Sequence, residues 1–284
     1  MKEKSFTLIE IMIVVVIIGI ISSFIYPSTT RVRKNTSFTK AQLFSQKLNN
    51  SLAENMVGQW TFYEGSGSVV KDLSGNNNNG TITGATWETN SKNCVFDYCL
   101  NFDGSLGNYV QVSSIPFLTT GKSFVISAWV YPENTGDYRT IVGYDSTHRL
   151  LINSTGQMLS QQDGNFLSNG AGDVPNGTWT HVVYWYNGTI GSFGQERWFI
   201  NGMQSGAARD LPSQAAEWDG SFKIGQYDLV HYPYKGKIDD VIFFNNYFSL
   251  SQVNELYFSG LNKLLTKGEL TSKEYQERII ALVK

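Results

Sequence analysis

The sequence predicts an α+β chain: a long N-terminal helix, membrane-spanning and then amphipathic, an antiparallel β-sandwich of the jelly-roll type, and a short C-terminal helical hairpin. Three observations carry that reading. Residues 6–26 are almost unbroken apolar residues. From Val57 the helical period gives way to short alternating runs separated by Gly, Asn, Asp and Pro. Near the C-terminus a helical period returns behind two capping sequences. The 284 residues are 41% hydrophobic, 14% aromatic and only 16% charged, which excludes a disordered chain and a coiled coil.

Charge separates the same zones. Residues 1–56 carry seven Lys/Arg against three Asp/Glu, residues 57–258 ten against eighteen, and residues 259–284 five against three. The total of −2 excludes a generally basic nucleic-acid binder, and no nucleic acid is expected on the acidic globular part.

The first element runs FTLIEIMIVVVIIGIISSFIY from Phe6 to Tyr26. As a helix it is about 31 Å long, against roughly 30 Å of bilayer hydrocarbon. Lys2 and Lys4 also suit a secretory signal, but the apolar run exceeds the usual length and no small-residue cleavage site follows it. Glu10 is the anomaly. A carboxylate inside a membrane segment costs about 2.5–3.5 kcal/mol and asks for a partner, unless it lies at the interface and reaches water.

The string Ser5-Phe6-Thr7-Leu8-Ile9-Glu10, followed by this apolar run, resembles the prepilin motif of type IV pilins and type II secretion pseudopilins. The resemblance implies that a prepilin peptidase and N-methyltransferase removes a leader of residues 1–5, cutting between Ser5 and Phe6 and methylating Phe6. Family members usually carry Gly before the cut, where this chain has Ser5. It further implies that Glu10 pairs with the Phe6 amine of a neighbouring subunit, so that docking compensates a buried charge. Gly19 and Pro27 fall where many pilins carry helix-weakening residues, and Pro27 removes a helix hydrogen bond. Over residues 27–56 Val32, Phe38, Leu43, Phe44, Leu48 and Leu52 can share one face, with Arg31, Arg33, Lys34, Lys40 and Lys47 exposed to water, headgroups or other subunits. As in pilins, the apolar side is expected to pack on the globular domain.

The sandwich, residues 57–258, is read from runs such as QWTFY (59–63), SFVISAWVYP (123–132), WTHVVYWYN (179–187) and GKIDDVIFF (236–244). Asn201-Gly202 marks a hairpin turn, and most aromatic residues are assigned to the core. Several strings follow in an order that resembles the laminin-G-like or concanavalin-A-like lectin/glucanase family. They include Gly58-Gln59-Trp60-Thr61-Phe62, Lys71-Asp72-Leu73-Ser74-Gly75, Leu100-Asn101-Phe102-Asp103-Gly104, Trp179-Thr180-His181-Val182 and Lys237-Ile238-Asp239-Asp240-Val241. The resemblance implies a two-sheet jelly roll and a glycan or surface-protein ligand. It also implies a structural calcium between an early loop and a late strand, with Asp72, Asn78 and Asp239 or Asp240 as ligands; the same loop residues equally suit turns without metal.

No enzyme is expected. The Glu-x-Asp-x-Glu strand of the hydrolase branch is missing, and the adjacent Asp239 and Asp240 would point to opposite faces of a strand. A domain delivered outside the cytoplasm favours a small disulfide loop between Cys94 and Cys99. His148, His181 and His231 are scattered, which leaves zinc unsupported, and His181 reads as structural. The tail, residues 259–284, extends a helix opened by Ser249-Leu250-Ser251-Gln252, ended or interrupted at Gly260 and broken at Lys267-Gly268. A second helix follows Thr271-Ser272-Lys273-Glu274. The whole reads as an inner-membrane precursor that becomes a filament subunit displaying a lectin-like head for adhesion. The alternatives are a pseudopilin of a secretion or DNA-uptake machine and a membrane-tethered glycosidase.

Overall fold

The computed structural model describes residues 52–113, 115, 122–144, 148–162, 165–167, 172–211, 221–227 and 231–282. The expected membrane span and Ser5, Phe6, Glu10, Gly19 and Pro27 lie outside them. Among the described residues no helix is long and apolar enough to cross a membrane. Leu52–Lys284 form one compact unit.

The described residues form sixteen strands and two helices in two layers. The strands are β1 (Met56–Trp60), β2 (Val69–Val70), β3 (Gly80–Thr83), β4 (Thr86–Trp87), β5 (Leu100–Asp103), β6 (Tyr109–Val112), β7 (Phe124–Pro132) and β8 (Arg139–Gly143). They continue as β9 (Arg149–Ile152), β10 (Met158–Gln162), β11 (Asn165–Leu167), β12 (Thr180–Asn187), β13 (Gln195–Ile200), β14 (Met203–Asp210), β15 (Phe222–Ile224) and β16 (Lys235–Phe244). One sheet, which we call the back sheet, has the order β14-β13-β12-β7-β16-β5-β4 with β1 also on β16. The front sheet has the order β11-β10-β9-β8-β15-β6-β3-β2. Every named pair is antiparallel, as a sandwich of hairpins and crossovers requires.

Period-2 alternation sends Trp60, Phe102, Ile126, Val130, Tyr184, Trp198, Ile238 and Phe243 between the sheets, where they meet Val110, Val142, Leu150 and Ile224 of the front sheet. Trp60 packs edge-on against Phe222 and Phe243, at 5.3 and 5.7 Å between ring centroids. The Asn201-Gly202 turn has φ of 51° and 81° and joins the paired Ile200 and Met203. Both positions need the left-handed region that a type I′ hairpin demands.

The back sheet is also buried on its outer side. Val125, Val183, Trp185, Ile242 and Phe244 form a second apolar cluster there with Leu52, Phe248 and Val253. Trp129 and Trp179 join a third with Cys94, Cys99, Tyr257, Leu261 and Leu264. Helix α1 (Leu250–Lys267) supplies the cover, and α2 (Ser272–Ala281) rests Tyr275 and Ile279 on its edge. Burial on both faces is why β7 and β12 read as near-continuous apolar runs rather than clean alternation.

Both expected capping boxes are present, Ser249 with Gln252 and Thr271 with Glu274, and Gly268 caps α1 at φ 77°. Two expectations change. Helix α1 runs unbroken through Gly260 and across the boundary drawn at residue 258. Gly260 does not stop the helix: it is the point where the helix backbone lies on the Trp129 indole, and a Cβ there would fall inside the ring's van der Waals surface. Gly260→Ala should therefore destabilise the domain. The gain in helix propensity is about 0.5–1 kcal/mol, whereas overpacking a closed contact costs about 1–3 kcal/mol. Thermal unfolding followed by circular dichroism should show a midpoint lowered by several degrees, and an unchanged or raised midpoint would refute the contact.

Candidate functional site

The early loop expected to hold calcium is built on Asp72. Its Oδ1 accepts the backbone N–H groups of Gln59 and Ser74, both at 2.9 Å, and its Oδ2 accepts that of Asn78 at 2.9 Å. Asn78 donates its amide to the Val57 carbonyl at 2.8 Å, and its own carbonyl accepts from Trp60 Nε1 at 2.9 Å. The loop is thus an Asx-turned strap tied to β1. Gln59 links it to the late strand by donating its side-chain amide to Asp240 Oδ1 at 3.3 Å.

Asp239 and Asp240 part company at a bulge in β16, where pairing with β7 shifts between Asp239 and Ile242 and Asp240 adopts φ 46°. Asp240 turns to the Asp72 corner. Burial pushes its carboxyl up to about 7, opposed by the Gln59 hydrogen bond. Asp239 does not join that corner. It is fully buried, and its Oδ2 accepts the Phe96 backbone N–H at 2.8 Å inside the Cys94–Cys99 loop. Burial holds its carboxyl well above the carboxylate range, with the Asp240 charge adding to the rise. Of the calcium candidates, Asp72 and Asn78 share the loop, Gln59 links them to Asp240, and Asp239 lies with the disulfide loop. Among the described residues no group of three or more His, Cys, Asp or Glu side chains is arranged around one metal position. Two carboxylates and neighbouring carbonyls suit a hard, oxygen-seeking cation and no softer one.

Cys94 and Cys99 are bonded, with Cα atoms 5.5 Å apart, and both are fully buried. Lys267 of α1 donates to the Ser91 carbonyl at 2.9 Å and the Cys94 carbonyl at 3.3 Å, while Trp179 Nε1 donates to the Asn93 carbonyl at 3.1 Å. The disulfide loop and the residues just before it are thereby tied to α1 and to Trp179.

His181 lies on the outer side of the back sheet beneath α1. Its Nε2 is 2.8 Å from Ser127 Oγ, and its ring lies 5.1 Å from Trp129 and 5.9 Å from Tyr257. Burial lowers its pKa from 6.5 to about 3, so it is a neutral packing residue and no general base.

Two clusters escaped sequence reasoning. Glu196 occupies an inward position of β13, fully buried, where its Oε2 accepts from Ser160 at 2.6 Å and Tyr184 at 3.1 Å. Burial raises its carboxyl pKa. The signal was an acid at an inward position of the alternating run QERWFI. The second cluster sits on the front sheet, outside the three apolar clusters. The Arg149 guanidinium lies 3.7 Å from the Tyr227 ring centroid and 5.3 Å from that of Tyr232. Tyr138 is 5.0 Å from Tyr232, and His231 is 5.8 Å from Tyr232 and nearly parallel to Tyr227 at 6.3 Å. Tyr227 packs over Gly143, where no Cβ would fit. Tyr232 holds φ 48°, a conformation that costs a bulky residue about 1–3 kcal/mol, and its carbonyl accepts the Thr140 N–H at 3.0 Å. Its signal was the aromatic string HYPY (231–234) just ahead of the last strand.

Comparison with known proteins agrees with this geometry. The family profile described as the concanavalin A-like lectin/glucanases superfamily matches residues 103–254, and that of the prokaryotic N-terminal methylation motif matches residues 1–26. No curated protein sequence matches the chain. Among solved structures, domain 4 of AbnA, a GH43 extracellular arabinanase from Geobacillus stearothermophilus in complex with arabinotriose, is similar at 20% identity and TM-score 0.56, over 72% of this chain and 98% of that one. The binding domain of Paraclostridial Mosquitocidal Protein 1 is similar at 16% identity and TM-score 0.58, over 74% of this chain and 53% of that one. The botulinum neurotoxin serotype D ligand binding domain in complex with N-acetylneuraminic acid is similar at 15% identity and TM-score 0.58, over 75% and 53%. At these identities the likeness shows the fold alone, and this chain spans about half of the toxin domains.

The depressed His181 pKa has a stability consequence. The unfolded chain takes up the proton first, so the contribution is complete above about 6.5 and is lost as pH falls toward about 3. In urea unfolding, the stability advantage of the unaltered chain over His181→Gln should shrink between pH 7 and pH 4, with a slope approaching about 1.4 kcal/mol per pH unit. Parallel curves would show that His181 titrates normally.

Proposed function

Because the chain belongs to the concanavalin A-like lectin/glucanases superfamily and opens with a prokaryotic N-terminal methylation motif, we propose that it is a pilin-like filament subunit whose lectin-like head is displayed for adhesion or glycan binding. The observation that carries the reading is this fusion of an assembly signal to a binding-type sandwich. In it, the 6–26 segment anchors the precursor in the inner membrane, the peptidase that cuts before Phe6 releases it for assembly, and Glu10 recruits the Phe6 amine of the next subunit. The carboxylates support binding rather than hydrolysis: Asp239, Asp240 and Glu196 are all buried, and each already accepts a hydrogen bond from the protein.

Mass spectrometry of sheared surface filaments tests the reading. It should find a mature chain beginning with methylated Phe6, and Glu10→Ala should be cleaved yet scarce in filaments. Recovery only from short periplasmic assemblies would make it a pseudopilin. An uncleaved chain that never polymerises would reject both.

We also propose a structural calcium held by Asp72 and Asp240, with Asn78 shaping the loop. It would bind between two buried carboxylates, each of which accepts a hydrogen bond from Gln59. Calcium should raise the thermal midpoint of the chain and a chelator should lower it, and Asp72→Asn or Asp240→Asn should abolish the difference. A midpoint indifferent to calcium would leave the loop as a plain Asx-turned strap.

A further inference from the structure

We propose that Asn176 is a self-modifying site: the Gly177 backbone nitrogen displaces its side-chain amide, and the carboxylate that results pairs with the buried guanidinium of Arg139. The inference goes beyond the adhesive reading and does not rest on it. Arg139 is 1% exposed, yet among the described residues no carboxylate pairs with it. Its guanidinium donates to neutral oxygens: the Glu133 carbonyl at 2.8 Å, the Asn153 carbonyl at 3.2 Å and Asn176 Oδ1 at 2.5 Å. Burial lowers its pKa, as for a cation that its surroundings compensate incompletely. These bonds join the loops that follow β7 and β9 to the one that precedes β12.

The chemistry follows from the pair Asn176-Gly177. A glycine presents its backbone nitrogen with no Cβ beside it. That nitrogen attacks Asn176 Cγ and closes a five-membered imide, and ammonia leaves with the proton that the nitrogen gives up. Water then opens the imide to Asp or its β-linked isomer, so one amide and one water become a carboxylate and an ammonium ion. Ring closure passes through an oxyanion at Oδ1, the atom that Arg139 already holds by a charge-assisted bond. Asn176 and Gly177 are exposed, so water reaches the imide. The attack breaks one hydrogen bond, from the Gly177 N–H to the Pro132 carbonyl at 2.8 Å. The other Asn-Gly pairs among the described residues lack a cationic donor. Asn79 Oδ1 accepts the Asp72 N–H, Asn187 Oδ1 accepts from Ser123 and Thr189, and Asn201 Oδ1 accepts the His181 N–H. The product also suits its place: a carboxylate at an exposed position loses little hydration, and a buried cation gains an anion.

The test is peptide mass mapping of the full chain in detergent micelles, sampled over days in mildly alkaline buffer. Conversion of Asn176 to the acid should run about tenfold or more ahead of Asn79, Asn187 and Asn201. Arg139→Lys keeps a charge but loses the planar fork, so it should slow Asn176 and leave the ranking of the other three unchanged. If that variant does not fold, the ranking in the unaltered chain decides. Asn176→Asp should raise the thermal midpoint by a few degrees. An Asn176 that converts no faster than the other three, or equally fast in a folded Arg139→Lys, would overturn the site. A midpoint unchanged or lowered in Asn176→Asp would overturn the pairing with Arg139.

Discussion

The structure depends on the covering of the back sheet's outer face. Strands β7, β12 and β16 carry large apolar residues on both sides, so they are stable only if something lies on each. The inner side meets the front sheet, and the outer side meets α1. Val253, Tyr257, Leu261 and Leu264 are essentially fully buried against it. At about 1.5–3 kcal/mol for each large side chain, that contact is of the same order as the whole stability of a typical domain, about 5–15 kcal/mol. The C-terminal helices are therefore part of the sandwich, which is why the compact unit runs to the end of the tail.

This arrangement explains what could be read from residues alone. Local signals translated directly: alternating runs became strands, Asn201-Gly202 became a turn, and Ser249 and Thr271 became helix caps. Those features depend on neighbours within a few residues. Gly260 reads as an end or interruption of the helix because glycine is a weak helix former, and its actual reason, the Trp129 indole, comes from a strand far away in sequence. Asp239 and Asp240 were correctly separated, but only the bulge decides that Asp240 faces the Asp72 loop and Asp239 the disulfide loop. The tyrosines show the same limit. Tyr184 and Tyr232 are equivalent as letters, and only topology puts one in the core and leaves the other half-buried outside it.

The buried polar groups sort by the same logic. Asp72 holds three backbone N–H groups, Glu196 two hydroxyls, and Asp239 the N–H of Phe96. Each carboxylate organises a loop or joins the two layers, and each is sequestered from solvent. Such groups make poor catalysts, since a general acid or a nucleophile must reach a substrate. These buried acids thus serve the rigidity of the head.

The disulfide loop ties this rigidity to the route the chain is proposed to take. Both sulfur atoms are fully buried in the closed head, and the loop between them supplies the N–H that partners Asp239. A thiol–disulfide exchange partner reaches the cysteines only before the loop settles beneath α1 and Trp179. Once closed, the head shields the bond from thiol–disulfide exchange. If the cysteines stayed reduced, the chain entropy of the loop would oppose the placing of Phe96 over Asp239, and a buried carboxyl would lose its protein donor.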